Sequence, residues 1–166
     1  MHLLCLAKRL CAAAVLLPLA ATTAGAACIP DNFPADYLYQ QEAAGGHTIA
    51  RHEGKTDEQI VQRLEQDARI QHASTYPAVA GAQADIIAVL AGDRVAINNW
   101  AARAPAGATH AWEAGANHVV GRVASRPPSP GNIADSSYLR VVVRKTGANA
   151  CLLLTSFPIP APAADE

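Results

Sequence analysis

The stretch GGHTIARHEGKTDEQIVQRLEQDARI, residues 45–70, decides how the fold begins, because it contains a clear helix start. Residues Thr56 to Gln59 match a capping box. In this motif the Thr56 hydroxyl accepts a hydrogen bond from the Gln59 backbone N–H, and the Gln59 side chain reaches back to the Thr56 N–H. We therefore predict a helix that begins at Asp57.

One face of the predicted helix is apolar. Its apolar residues recur at the spacing of an amphipathic helix and are Ile60, Val61, Leu64 and Ala68. Arg63 falls near the edge of this face. Its long side chain is placed either to reach over an adjoining groove or to pair with Glu58 or Asp67 as an ordinary surface cation.

Two histidines precede this helix. His47 and His52 lie five positions apart, which matches neither the four-residue step of a helical zinc pair nor the two-residue step of a strand face. Gly45, Gly46 and Gly54 favour a short ordered segment between turns. The spacing therefore predicts no metal site, and no cofactor is expected.

Further along the chain, the apolar pattern changes from helical to strand-like. Residues 78–90 and 93–102 predict two helices. Residues 119–124 predict a strand, and residues 138–144 and 150–157 predict a hairpin.

The segments between these elements are predicted to be irregular. Residues 70–76 are expected to form a turn with a short extended piece, residues 106–118 a loose Ala/Gly segment, and residues 126–135 a proline-rich loop. Helices thus come first and strands last, without βαβ alternation. This order predicts an α+β fold, with N-terminal helices packed on a C-terminal antiparallel β-sheet.

The first 26 residues are typical of a secretory signal peptide. Lys8 and Arg9 supply the positive end, residues 10–19 an apolar run, and residues 24–26 a small-residue cleavage site. The mature protein is expected to begin near Ala27 and to be secreted or periplasmic. The apolar run is shorter than the roughly 20 residues of a membrane span, and we expect no span in the mature chain.

The charge of the chain excludes a general nucleic-acid-coating protein. The chain has 13 Lys and Arg against 14 Asp and Glu, and loss of Lys8 and Arg9 with the signal would leave 11 against 14. Proteins that coat RNA or DNA are usually basic. Any contact with RNA must therefore rest on a local cluster of cations.

Two of the four cysteines, Cys28 and Cys151, remain after removal of the signal. In an oxidising compartment we expect them to form a disulfide that closes a loop of about 120 residues. Two unpaired thiols, or a lipid attached to Cys28, stay open as alternatives.

The mature length suits one domain. We divide the chain into an ordered arm over residues 27–44, the domain over residues 45–160 and a disordered tail over residues 161–166. A monomer is expected.

Four segments together resemble a known family. The opening pattern GGHTIARH-x-GKTDEQ-x-x-x-RL is similar to the start of the bacterial ribonuclease A-like toxin domain, which forms the C-terminal tips of contact-dependent growth-inhibition toxins. The likeness continues through AST at residues 73–75 and VGRV at residues 120–123. It ends on LLLTSFP at residues 152–158.

This resemblance implies a fold, an activity and a site. The implied fold is ribonuclease A-like. The implied activity is a metal-independent ribonuclease that cleaves single-stranded RNA by transphosphorylation to a 2′,3′-cyclic phosphate. By motif position the catalytic residues would be His52, Arg63, Thr155 and Phe157. The family usually has tyrosine where this chain has Phe157, so one phosphate-contacting hydroxyl is missing.

Further cations and a second histidine are candidates for binding the substrate. We predict substrate contacts from His47, which is also a candidate general acid, and from Arg51, Lys55 and Arg122. Together with Arg140 and Lys145 these cations are expected to form a cationic rim. Arg140 and Arg144 are four apart on a predicted strand and share a face, which is either a phosphate track or the solvated face of the sheet. The histidine at position 72 is expected on the surface and outside the catalytic set.

The resemblance also implies a toxin role and an inhibitor (immunity) protein as partner, besides the RNA substrate. The alternative is a catalytically inactive module of the same fold that binds a protein or surface partner. The groove distinguishes the two. A cationic groove that joins His52, Arg63 and Thr155 favours the ribonuclease, whereas an acidic or filled groove favours the binding module.

Overall fold

The structure is a computed structural model that describes residues 27–162. The predicted signal peptide and residues 163–166 of the predicted tail lie outside this range. The described helices are α1 (Tyr37–Ala43), α2 (Thr48–His52), α3 (Asp57–Gln66), α4 (Val79–Gly92) and α5 (Arg94–Arg103). The strands are β1 (His72–Thr75), β2 (Thr109–Gly115), β3 (Gly121–Ser125), β4 (Ile133–Ser136), β5 (Tyr138–Gly147) and β6 (Ala150–Ile159).

The strands form two antiparallel sheets. One has the order β1-β3-β4 and the other the order β2-β5-β6. The predicted α+β class and antiparallel pairing are confirmed, while the strands are divided between two sheets. Every helix within the described residues is too short or too polar to cross a bilayer.

The start of α3 follows the capping prediction. The Thr56 hydroxyl accepts from the Gln59 N–H at 3.3 Å, and the Gln59 side-chain oxygen accepts from the Thr56 N–H at 2.9 Å. Both bonds satisfy N–H groups that a helix start otherwise leaves unpaired. The predicted turns before α3 are also present, since Gly45 and Gly54 have φ angles of +103° and +64°, in the region that favours glycine.

The main core lies between the β2-β5-β6 sheet and the helices. Ile86 and Leu90 of α4, Ile97 of α5, and Val141 and Val143 of β5 are all completely or almost completely buried. Each such side chain stabilises the fold by about 1.5–3 kcal/mol. A second cluster packs α3 against β1 and β3 and consists of Ile60, Val61, Leu64, Ala73 and Ala124.

Three predictions about loops need correction. Residues 106–118 are not a loose segment, because β2 pairs with β5 along Thr109–Gly115. The alanines and glycine of this segment give little contrast between inward- and outward-facing positions, so the sequence does not show that Trp112 faces the core. The loop predicted over residues 126–135 includes the start of β4 at Ile133. The arm at residues 27–44 is ordered, as expected, yet it contains α1 and adds Leu38 to the core.

Lys145 is another correction, because it does not belong to a cationic rim. Residues two apart on a strand share a face, and Lys145 falls on the same face as Val141 and Val143. It is 5% exposed, and its ammonium group donates to the Ala101 carbonyl near the end of α5. Arg140 and Arg144 lie on the opposite face of β5 and are half-buried.

Strand β6 connects the two parts of the fold. It contacts α1, α2, β1 and β3 in addition to its partner β5. A Cβ atom on Gly46 would lie 2.7 Å from the Leu153 carbonyl oxygen, so glycine permits the close approach of the α2 start to β6. The Ser156 N–H donates to the Thr48 hydroxyl at 2.9 Å. Helix α2 is thereby held against the strand that carries Thr155.

The predicted disulfide is present between Cys28 and Cys151, whose Cα atoms are 5.1 Å apart. It ties the start of the described chain to β6.

Candidate active site

One groove collects most of the predicted site residues. It has a volume of about 620 Å³ and is lined by parts of α2, α3, β1, β2, β5 and β6 and by the prolines that follow β6. The predicted residues that line it are His47, Arg51, His52, Arg63, Thr155 and Phe157.

Helix α2 places His52 in the groove. The Glu42 carboxylate holds the first turn of α2, accepting from the N–H groups of Ile49 and Ala50 at 3.0 and 2.9 Å. His52 is the last residue of the helix, and its carbonyl accepts from the Tyr76 N–H at 2.7 Å. The backbone around His52 is thus fixed at both ends of α2.

The imidazole of His52 is buried in a defined orientation. Its side chain stacks on Phe157, with ring centroids 5.0 Å apart, and its Nδ1 lies 3.4 Å from the Ser74 carbonyl oxygen. A carbonyl can only accept, so Nδ1 carries the proton and Nε2 keeps the lone pair. Burial, reinforced by the charge of Arg63, lowers the pKa of His52 to about 3. The ring is therefore a neutral proton acceptor at physiological pH.

Arg63 extends from α3 toward α2 and carries an uncompensated charge. Its Nη1 donates to the Arg51 carbonyl at 3.3 Å. No carboxylate of residues 27–162 lies within ion-pair distance of it, so the alternative pairing with Glu58 or Asp67 is not formed. Burial and the Arg51 charge lower the pKa of Arg63, although an arginine still remains charged. The two guanidinium groups favour an anion between them.

Thr155 presents a hydroxyl without a protein partner. Its Oγ1 is buried and makes no hydrogen bond within the described part of the chain. The next residue, Ser156, is bonded through its hydroxyl to Tyr76. An unpaired buried hydroxyl costs about 1–3 kcal/mol, so its presence in a groove is typical of a donor that a ligand satisfies.

Phe157 lies on the same side of β6 as Thr155, because the two residues are two apart on a strand. The guanidinium carbon of Arg140 is 5.8 Å from the centre of the Phe157 ring. Arg140 is itself paired with Glu113. Phe157 is thus enclosed by His52 and Arg140 and forms an aromatic wall of the groove.

His47 lies at the cap position of α2, half-buried beside the two arginines. Its N–H donates to the Leu154 carbonyl at 3.0 Å, which fixes its backbone to β6. Burial and the nearby Arg51 lower the pKa of His47, while Glu42 opposes this effect. His47 and His52 therefore both line the groove, despite a spacing that fits no regular element.

Two predicted substrate contacts lie outside this groove. Lys55 lines a neighbouring cleft together with Arg51 and Arg63, and it also borders the depression that contains Arg122. Arg122 lies in a different depression, where its Nη1 is 2.5 Å from the Asp57 carboxylate and its Nε is 3.8 Å from Asp135.

Three titratable residues that line the groove were not assigned to the site from the sequence. His72 is exposed, as predicted, but its exposed side lines the groove, and its Nδ1 lies 2.9 Å from the Ser125 hydroxyl. Glu113 was missed because β2 was interpreted as a loose segment. Arg140 was expected only as part of a rim. The alternation of apolar and charged residues along β5 indicated on which face of the strand Arg140 lies. It did not indicate that a groove lies above that face.

The antiparallel α+β fold and this groove define a ribonuclease A-like domain. The sequence model of the family described as "Bacterial CdiA-CT RNAse A domain" matches residues 46–158. The chain belongs to this family. The predicted resemblance to the bacterial ribonuclease A-like toxin domain is thereby confirmed.

One solved structure has a similar fold. It is the crystal structure of the CdiA-CT/CdiI complex from Y. kristensenii 33638. A chain of that complex superimposes with a TM-score of 0.60 at 21% sequence identity, over 69% of this chain and 100% of that chain. The comparison with curated proteins gives no match.

Proposed function

We propose that the protein is an endoribonuclease that cleaves single-stranded RNA by transphosphorylation, without a metal ion, and leaves a 2′,3′-cyclic phosphate. The observation that carries this proposal is the groove itself, which joins His52, Arg63 and Thr155 and has an excess of cations. This is the arrangement expected of an enzyme and not of an acidic or filled binding module.

His52 is the general base of the proposed reaction. Its Nε2 takes the proton from the ribose 2′-hydroxyl, and the resulting oxygen attacks the adjacent phosphorus. The hydrogen bond from Nδ1 to the Ser74 carbonyl supports the imidazolium that forms. Burial is the main cause of the low pKa of His52, and the Arg63 charge is the second; a bound phosphate compensates this charge and thereby raises the proton affinity of His52.

Arg63 and Arg51 bind the phosphate oxygens and stabilise the negative charge that develops on them. The Thr155 hydroxyl donates a hydrogen bond to the same phosphate. This bond gives the hydroxyl the partner that it lacks among the described residues of the free protein. Phe157 stacks on a base or excludes water from one side, but it cannot donate a hydrogen bond.

His47 is the proposed general acid. It delivers a proton to the 5′-oxygen that leaves when the phosphorus–oxygen bond breaks. Its location beside Arg51 and Arg63, at the cationic end of the groove, supports this role. Burial and the charges of Arg51 and Arg63 lower the pKa of His47 in the free site, and a bound phosphate offsets the two charges, which favours the protonated form that a general acid needs.

The biological setting is also part of the proposal. We infer a toxin that is secreted or periplasmic and acts as a monomer, with an inhibitor protein that covers the groove. The inhibitor is supported by the structural relative, which was crystallised as a CdiA-CT/CdiI complex.

The decisive experiment is digestion of mixed RNA in EDTA by the disulfide-bonded protein. We expect cleavage with 2′,3′-cyclic ends. His52→Asn should lower kcat about 10²- to 10⁴-fold and Arg63→Ala about 10²- to 10³-fold. Arg103→Ala removes an exposed cation of α5 that lines no groove and should cleave like the wild type. A folded wild type that cleaves no RNA overturns the proposal.

A further inference from the structure

A second cationic cleft adjoins the candidate active site. This outer cleft lies between α2 and α3, has a volume of about 460 Å³ and is lined by the cations Arg51, Lys55, Arg63 and Arg69. Arg51 and Arg63 also line the catalytic groove. The two depressions are therefore neighbours that share these two arginines.

The charges in the outer cleft are poorly compensated. Its one acidic lining residue is Asp67, which is bound to Arg69 at 2.8 Å. That pair is bidentate, with Arg69 Nη2 also donating to the second Asp67 oxygen at 3.0 Å, but the Arg69 side chain is 89% exposed and so remains accessible to a phosphate. Lys55 forms no ion pair within the described residues, and its backbone N–H is fixed to the Thr75 hydroxyl at 2.9 Å. Lys55 thus presents its ammonium group to the cleft from a backbone that is fixed at this point.

This local excess of cations contrasts with the charge of the whole chain, which has 13 Lys and Arg against 14 Asp and Glu. Arg122, the other cation predicted to bind the substrate, is held by Asp57 and Asp135 on a different side of α3. The cations that remain without an acid partner on α2 and α3 are those that face the groove and the outer cleft. A strand of RNA that leaves the groove past Arg51 and Arg63 enters this cleft.

We propose that the outer cleft binds backbone phosphates of the RNA beyond the cleaved linkage. Lys55 and Arg69 are its contacts, and Arg51 and Arg63 are shared with the catalytic phosphate. This inference rests on the proposed function, and it makes the substrate a strand of several nucleotides. Recognition there is by charge and is independent of base sequence.

The test compares two substrates. One is a dinucleoside monophosphate, which has a single phosphate. The other is a longer single-stranded oligonucleotide whose only ribose is at the cleavage site. Lys55→Ala should lower kcat/KM for the oligonucleotide about threefold at low salt and leave the dinucleotide unchanged. The Lys55→Arg variant keeps the positive charge and should have the wild-type kcat/KM on the oligonucleotide. The control variant Arg103→Ala should also have the wild-type value.

Salt dependence gives an independent readout. We combine Lys55→Ala with Arg69→Ala and plot log kcat/KM for the oligonucleotide against log salt concentration. The negative slope of this plot should become less steep by about 1.4, since each lost contact to a single strand removes about 0.7. The proposal for the outer cleft is overturned if Lys55→Ala lowers kcat/KM equally on both substrates, or if it does not lower kcat/KM on the oligonucleotide.

Binding separates this proposal from catalysis. An all-deoxy oligonucleotide lacks the 2′-hydroxyl and is not cleaved, so its Kd can be measured by fluorescence anisotropy. Weaker binding by Lys55→Ala than by Arg103→Ala supports the outer cleft even if the protein cleaves no RNA. Equal Kd values for the wild type and both variants overturn it, whatever the result of the digestion.

Discussion

The imidazole of His52 stacks on the phenyl ring of Phe157, with the two planes inclined by 27°. The contact joins the end of α2 to β6, the last strand. It explains part of the burial that lowers the pKa of His52 to about 3. The aromatic ring of Phe157 therefore affects the site in two ways, because it helps to bury His52 and it forms a wall of the groove.

Replacing Phe157 with leucine should raise the pKa of His52 from about 3 toward the ordinary value near 6.5, because water reaches the imidazole. The pKa can be followed by NMR titration of the ring protons. Phe33→Leu is the matched control, since Phe33 packs on Tyr37 in the arm. An unchanged His52 pKa in Phe157→Leu would contradict the assigned cause.

Thr155→Val separates a catalytic hydroxyl from a structural one. Because Thr155 Oγ1 has no protein partner, the free energy of unfolding should stay the same or rise slightly. Activity should fall about 10- to 100-fold with the loss of a phosphate donor. Urea unfolding and kcat/KM measure the two effects.

Thr48→Val provides the comparison for Thr155→Val. The Thr48 hydroxyl accepts from the Ser156 N–H, so this change should reduce stability by about 1–3 kcal/mol. A loss of stability in Thr155→Val as large as in Thr48→Val would refute the assignment of a free hydroxyl.

The buried His52 should make the protein less stable in acid. Its pKa is about 3 in the folded state and near 6.5 in the unfolded chain, so only the unfolded state binds a proton between these values. The stability due to neutral His52 is therefore complete above pH 6.5 and is lost as the pH falls toward 3.

A neutral substitute such as His52→Asn should remove this dependence. As the pH falls from 7 to 4, the unfolding free energy of the wild type should fall by up to about 3 kcal/mol more than that of the variant. Urea unfolding at several pH values measures the difference. Parallel curves for the two proteins would show that His52 is accessible to protons when folded.

Removing the disulfide with Cys28→Ser and Cys151→Ser should lower the free energy of unfolding by about 4 to 5 kcal/mol, as the chain-entropy model predicts for a loop of this length. Chemical denaturation of the oxidised and variant proteins measures the change. Reduction of the wild type should have the same effect. A loss below about 1 kcal/mol would mean that the arm is held by its core contacts alone.

The sequence predicted the elements whose causes are local. The capping box needs only Thr56 and Gln59, which lie within one turn of helix. Alternation along β5 needs only that neighbouring residues face opposite sides, and it separates Arg140 from Val141. Strand β2 was missed because its alanines and glycine carry little periodic signal, and Glu113 was missed with it.

The sequence by itself predicted α3, the pair α4 and α5, β3 and the β5-β6 hairpin, and through the family motifs it indicated His52, Arg63 and Thr155 as candidate site residues. Only the tertiary structure decided which cations share one groove. Arg51 and Lys55 are four apart in sequence, yet only Arg51 lines the catalytic groove, while Lys55 faces the outer cleft. That division depends on how α2 packs against β6 and how α3 packs against β1 and β3, and such packing is set by contacts between residues far apart in the chain.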